Sequence, residues 1–143
     1  MNAEEIAALQ AQVQQLRRLC NAVPVAIAYY ERAGYLCRYA NEPYASMFGR
    51  TEEGVLGLSV AQIIGEPAAA LIQPRVDEVV REQRSVRYER QLVDGQGRRR
   101  HIEVHLLPHL GADGQAQGAF VLVSDISRHR EAEAAARESE ERL

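Results

Sequence analysis

Residues 85–93 alternate between two faces, with Val86, Tyr88, Arg90 and Leu92 on one and Arg87, Glu89 and Gln91 on the other. That is the period of a half-buried β-strand. Asp94-Gly95 follows, a pair that tolerates the positive φ of a tight hairpin turn. Residues 99–108 alternate again, setting Ile102, Val104 and Leu106 against His101, Glu103 and His105. Asp113-Gly114 marks a second turn. Residues 118–123 are apolar almost throughout, which predicts a strand inside the sheet rather than at its edge. Three antiparallel strands with one apolar face need cover, and the upstream pattern supplies it.

Residues 2–19 predict a helix with Glu4 and Glu5 early and Arg17 and Arg18 late, an order that suits the helix dipole. Ile6, Leu9, Val13, Leu16 and Cys20 step by three and four along it. So narrow a stripe wants one partner, either a second copy of the helix or the outer face of the domain's own sheet, and a homodimer contact is the favoured expectation. Ala22-Val23-Pro24 breaks the helix. Residues 25–31 and 35–40 read as a short hairpin. Asn41 then caps a helix with Tyr44, Met47 and Phe48 on its apolar side, and Thr51 and Ser59 cap two more short turns of helix. Pro67 is expected to end the last of these. Residues 68–82 make a longer helix, with Leu71, Val79 and Val80 inward and Pro74 near its start or dividing it.

The chain therefore predicts an α+β domain of five antiparallel strands, split two and three, with helices between them. Its expected parts are an N-terminal amphipathic helix (1–20), a folded domain (21–127) and a C-terminal helix (128–143). The last is charged and alanine-rich with only a feeble apolar stripe, so it reads as a connector toward a downstream domain. Asp125 or Ser127 is its expected cap.

Composition narrows the functional classes. A net charge of -3 argues against nonspecific nucleic-acid binding, which rests on neutralised phosphates. Arg98-Arg99-Arg100 is a local basic cluster, read as a solvated strand start rather than an anion site. Cys20 and Cys37 lack metal-ligand spacing, so free thiols in a reducing compartment are expected. No apolar run approaches the roughly 18 residues of a membrane span. The first residues carry acid rather than a signal peptide's basic start, so the expectation is a cytoplasmic fragment without membrane contact. No nucleophile–histidine–acid set, paired acids or phosphate loop points to an enzyme. A small cone-shaped enzyme is the remote alternative.

Several motifs in order resemble the PAS family, especially its bacterial sensory members. They are Ala22-Val23-Pro24-Val25-Ala26-Ile27, Tyr39-Ala40-Asn41-Glu42-Pro43-Tyr44, Phe48-Gly49-Arg50-Thr51-Glu52-Glu53 with Leu56-Gly57, Asp94-Gly95, Asp113-Gly114 with Gly118, and Asp125-Ile126-Ser127. The last looks like the family's Asp-Ile-Thr exit signature. The resemblance implies the PAS fold, a five-stranded antiparallel sheet in the order 2-1-5-4-3 with helices on one face. It also implies flanking helices that join dimer partners and carry a signal to an output domain, such as the kinase of a two-component system or a cyclic-dinucleotide enzyme.

The resemblance also permits cofactors to be tested by residue. Haem-binding relatives use a histidine on the long helix, and residues 68–82 have none. Flavin-binding light sensors use a cysteine on a short helix, and residues 60–64 have none. Neither cysteine is placed for the photoactive-yellow chromophore. No cofactor is therefore expected, and a small organic ligand stays open. Its expected wall is Tyr29, Tyr39, Tyr44, Met47, Phe48, Ile63, Leu71, Tyr88, Ile102, Val104 and Phe120, and the alternative is that these residues simply fill a core. Arg38, Arg90 and Ser124 are polar groups that orient an anionic ligand if they face inward; strand parity puts Arg90 with Tyr88. His101, Glu103 and His105 share a strand face at a spacing that zinc can use, but a polar sheet surface is the preferred reading. Asp125 is the expected signal-relay residue, because it stands where the last strand becomes the exit helix.

Overall fold

The computed structural model describes residues 2–22 and 25–141. The expected break at Val23-Pro24 and the final Arg142 and Leu143 lie outside the described residues. Helix α1 (Ala3–Ala22) leads to strands β1 (Ala26–Glu31) and β2 (Cys37–Ala40). Four helices follow, α2 (Glu42–Met47), α3 (Glu52–Val55), α4 (Val60–Ile64) and α5 (Glu66–Glu82). Strands β3 (Val86–Val93), β4 (Arg99–Leu110) and β5 (Ala116–Asp125) and helix α6 (Ser127–Glu141) complete the chain. The strands form one antiparallel sheet in the order β2-β1-β5-β4-β3. Among the described residues, no helix is long and apolar enough to cross a membrane.

One face of the sheet carries the core. Ala26, Ala28 and Tyr30 of β1, Ile102, Val104 and Leu106 of β4, and Ala119 and Val123 of β5 are buried there. Tyr44, Val55, Ile63, Val76, Val79 and Val80 of the helices close over them. The alanines at the centre let the helices approach the sheet closely, and the room they leave is taken by the rings of Tyr30 and Tyr44. Burying a Val- or Ile-sized side chain contributes roughly 1.5–3 kcal/mol each, so this single layer of contacts supplies most of the domain's cohesion.

Asn41 joins three elements to that core. It is fully buried, and every hydrogen-bonding position of its amide is used. Its Oδ1 accepts from the backbone N–H of Ile27 at 2.9 Å and of Tyr44 at 3.0 Å. Its Nδ2 donates to the carbonyls of Cys20 at 2.8 Å and Val25 at 2.9 Å. The residue thus caps α2, holds β1, and ties the last turn of α1 to the domain.

Two sequence expectations about the helices and one about a strand are corrected. Pro67 does not end α4; it stands in the first turn of α5, where its missing N–H leaves no bond unmade. Gly65, at φ 92°, makes the corner between the two helices instead. Leu71 does not face inward and is 79% exposed. The inward stripe of α5 runs through Ile72, Val76, Val79 and Val80, and Leu71 stands about 100° round the helix from Ile72. The second strand begins at Cys37 rather than at residue 35, because Tyr35 adopts φ 50° and belongs to the turn.

Gly95 sets the position of the β3–β4 hairpin. Its N–H donates to the Met47 carbonyl at 3.0 Å. A Cβ there would stand 2.7 Å from the backbone of Gly49, so only glycine lets the hairpin turn dock on the end of α2.

Asn41→Ala is expected to lower stability by about 3 kcal/mol, because it strands buried donors and acceptors rather than removing one cap. Urea unfolding measures this. Thr51→Ala, an exposed cap accepting from Gly54 N–H at 3.0 Å, is expected to cost only about 1 kcal/mol. Equal losses would contradict the joining role of Asn41.

Candidate functional site

Between the inner sheet face and α2, α4 and α5 lies a cavity of about 40 Å³. Strand β3 contributes Tyr88 and Arg90, β4 contributes Val104 and Leu106, and β5 contributes Ala119, Val121 and Val123. Tyr44 and Phe48 close it from α2, Val60 and Ile64 from α4, and Ile72 and Val76 from α5. Tyr30 and Tyr35 complete the wall. An apolar wall with a few convergent polar groups is the usual make-up of a small-molecule site.

The polar groups differ in how they are satisfied. The Tyr30 and Tyr44 hydroxyls lie 2.6 Å apart and bond each other. Burial pushes both phenols above their ordinary pKa, so they stay neutral throughout the working pH range. Tyr35 donates to Asp77 at 3.1 Å. Tyr88 lies under the Arg75 guanidinium, 4.3 Å from its ring centroid. Burial raises the Tyr88 pKa, with Arg90 and Arg75 opposing the rise. Arg90 is the exception, since its Nε is closed to solvent and has no hydrogen-bond partner.

Of the residues expected at the wall, Tyr44, Phe48, Tyr88, Arg90 and Val104 are brought together there. Met47, Ile63 and Ile102 pack in the core around it without lining it. Tyr29, Tyr39, Leu71 and Phe120 are corrected. Tyr30, not Tyr29, shares the inward parity of Ala26 and Ala28, and Phe120 pairs with Tyr29 across the strands on the opposite face. There Tyr29, His109 and Phe120 form an aromatic group with centroids 4.9–5.5 Å apart. Tyr39 lies in a groove between α1 and α3 with Arg17 and Glu52. Arg38 is exposed and paired with Glu31 at 2.9 Å, and Ser124 shares the outward parity of Phe120 and Leu122. Tyr30, Tyr35 and Ile72 were not anticipated; the alternation Ala26-x-Ala28-x-Tyr30 was the available signal for the first.

Among the described residues, no histidine or cysteine lines the cavity. His101, Glu103 and His105 stand on the outward parity of β4, and among the described residues no group of three or more such side chains is arranged to hold a metal ion. Cys37 is buried and donates to the Tyr39 carbonyl at 3.3 Å.

The cavity connects to the exit helix through β5. Asp125 ends that strand, and its Oδ1 accepts from Ser127 N–H at 2.9 Å. Its other oxygen meets Arg100 at 3.2 Å, and Arg100 Nε donates to Asp94 of the hairpin turn at 2.9 Å. Arg100 is therefore a clamp between turn and exit, not the solvated strand start its sequence suggested. Ser127 Oγ accepts from His101 N–H at 2.9 Å, and Ile126 N–H donates to the His101 carbonyl at 2.9 Å. Arg130 of α6 pairs with Glu89 of β3. The first turn of α6 is thus fastened to β3, β4 and the β3–β4 turn. Helix α1 behaves differently: Ile6, Leu9, Val13 and Leu16 are 43–60% exposed, so the helix does not cover its own sheet. Cys20, the last residue of that stripe, is half-buried.

Comparison with known proteins agrees with this architecture. The family described as PAS fold matches residues 20–131, and the chain belongs to the PAS family. The PAS domain of BvgS from Bordetella pertussis has 25% identity and a TM-score of 0.66, covering 93% of this chain and 99% of its own. A PAS domain from Colwellia psychrerythraea has 22% identity and a TM-score of 0.66, over 81% and 98% of the two chains. VqmA from Vibrio cholera, solved as a ligand–DNA complex, has 19% identity and a TM-score of 0.71. That match covers 80% of this chain and only 50% of VqmA. No curated protein sequence matches.

The Arg100 clamp has an acid signature. Hydrogen bonding to Arg100 holds the Asp94 carboxyl below its ordinary range. Partial burial pushes Asp125 up, but Ser127 and Arg100 outweigh it and the net direction is down. Stability from both groups is complete above the ordinary carboxylate range and is lost as pH falls through the depressed folded values. Arg100→Ala is expected to move both titrations upward, Asp94 more than Asp125, and to flatten the acid limb of the stability profile. Carboxyl carbon shifts followed by NMR read this directly; an unmoved Asp94 titration would contradict the clamp.

Proposed function

We propose that this domain is the sensory input of a bacterial signal-transduction protein, binding a small molecule and passing the change to a downstream output domain through α6. One observation carries the reading. The same strand, β5, lines the cavity with Ala119, Val121 and Val123 and runs through Asp125 into the helix that leaves the domain. A ligand that reshapes the wall acts on β5 and β4, and the fastenings at His101, Arg100 and Glu89 pass that displacement to α6. Asp125 is the relay residue of this account. The domain itself is non-catalytic.

The partner in this reading is a second copy. The stripe of Ile6, Leu9, Val13 and Leu16 is exposed in the single chain, and two to three heptads gain stability only when the folded domain adds to the contact. A net charge of -3 supports a module without nucleic-acid contact, and two free thiols fit a cytoplasmic setting. A ligand-free dimerisation and relay scaffold is the second reading. It is favoured by the cavity's size, since about 40 Å³ is well short of the roughly 300 Å³ typical of drug-sized ligands.

Native mass spectrometry of the purified protein, beside a denatured run, separates the two. The sensory reading predicts a dimer carrying non-covalent mass that is lost on denaturation, or acquired from a metabolite extract. A dimer that never carries added mass supports the scaffold. Leu9→Glu with Val13→Glu is expected to yield folded monomers whose thermal midpoint is lower and no longer concentration-dependent; persistence of the dimer would contradict the α1 contact.

A further inference from the structure

We infer that the cavity takes a small organic monocarboxylate, its carboxylate on the Arg90 guanidinium and its apolar end among Ile72, Val76 and Val121. The inference rests on the sensory reading above and names its ligand class.

Arg90 is the one charged residue of the cavity wall. Its Nε is shielded from solvent and has no acceptor. No carboxylate among the described residues forms an ion pair with it, whereas Arg38, Arg81, Arg84, Arg87, Arg100 and Arg130 all have one. A buried guanidinium N–H without an acceptor is unfavourable, and no carboxylate among the described residues meets it. Arg75 stacks on the Tyr88 ring and does not line the cavity. Of the neighbouring hydroxyls, Tyr30 and Tyr44 already bond each other and Tyr35 bonds Asp77, while Tyr88, which interacts with Arg90, is a neutral phenol and brings no counter-charge.

The wall also limits the anion. A planar guanidinium fork matches the geometry of a carboxylate. A phosphate or sulfate dianion needs more than one positive contact to leave water, and the remaining wall is valine, isoleucine, leucine, alanine and aromatic rings. The cavity of about 40 Å³ holds only a few heavy atoms, since one water needs ~10–15 Å³ measured the same way. A short acyl chain meets these limits, and its apolar end gains from the surrounding methyl groups.

The test is methyl NMR of the intact chain, titrated with the straight-chain series from acetate to hexanoate and with the matching neutral amides at constant ionic strength. A member of the acid series is expected to shift the Val76, Val104 and Val121 methyl signals saturably. It should bind at least about tenfold more tightly than its amide, the factor expected of a charge-assisted pair. Arg90→Met is expected to abolish that preference. Arg90→Lys, which keeps the charge but loses the fork, is expected to weaken acid binding while keeping the preference, and it serves if the methionine variant does not fold. Equal binding of acid and amide, or a preference that survives Arg90→Met, overturns the carboxylate inference but leaves a sensory cavity. Shifts confined to the outer sheet face also overturn it. If neither series moves the inner methyl signals, the carboxylate inference fails, and the sensory reading is decided separately by the added mass in the native spectrum.

Discussion

Asn41 spends its whole hydrogen-bonding capacity inside the protein, and the arrangement of the domain depends on that. A buried amide with two donors and two acceptors is tolerated only when each is met. Here the partners come from the end of α1, the start of β1 and the first turn of α2. Backbone bonds between Asn41 and Ile27 and from Ala45 to Asn41 reinforce the junction. Because α2 hangs from this point, the positions of Tyr44 and Phe48 over the sheet follow from it, and with them one wall of the cavity. The same side chain fixes the end of α1, so the direction in which the exposed apolar stripe of α1 leaves the domain is set in the core.

The two faces of the sheet divide the work. The inner face is built from small residues on β1 and β5 and larger aliphatic residues on β4, which lets the helices sit close and leaves one interior space beside Arg90. The outer face is aromatic and aliphatic near Tyr29, Phe120 and Leu122, and polar near His101 and Glu103. The exit helix begins at the polar end, where Ser127 and Ile126 bond His101 and Arg130 reaches Glu89. Strands that line the cavity on one face therefore hold α6 at their ends. The proposed relay accordingly runs through the sheet rather than through the helices over it.

The sheet order and its PAS character were legible because turn residues and alternation agreed at every hairpin. Strand β4 was the clearest case, since His101, Glu103 and His105 mark the outward parity by polarity. Strand β1 was not legible in the same way. Ile27 and Tyr29 are more apolar than Ala26 and Ala28, yet the alanines face inward, because close helix packing selects for size as well as hydrophobicity. Phe120 misled for the same reason, opposite a buried Ala119. On α5, Leu71 looked inward when Ile72 is, since a helix stripe read from one or two residues is uncertain by a third of a turn. Arg90 was placed at the wall by its parity with Tyr88. What sequence did not contain was that no carboxylate among the described residues pairs with it, because that depends on where every other chain segment goes. The clamp of Arg100 between Asp94 and Asp125 joins residues up to 25 positions apart and was hidden inside a run of arginines.

The central claim is that the cavity wall and the first turn of α6 move together. Amide hydrogen exchange in a cavity-filling variant, Val121→Phe, tests it most directly. Overpacking the wall strains β5, and the account predicts altered protection at Ile126, Ser127 and Arg130 beyond the uniform change set by global stability. Changes confined to β5 and the facing residues of α5, with those three amides at their original protection, would contradict it.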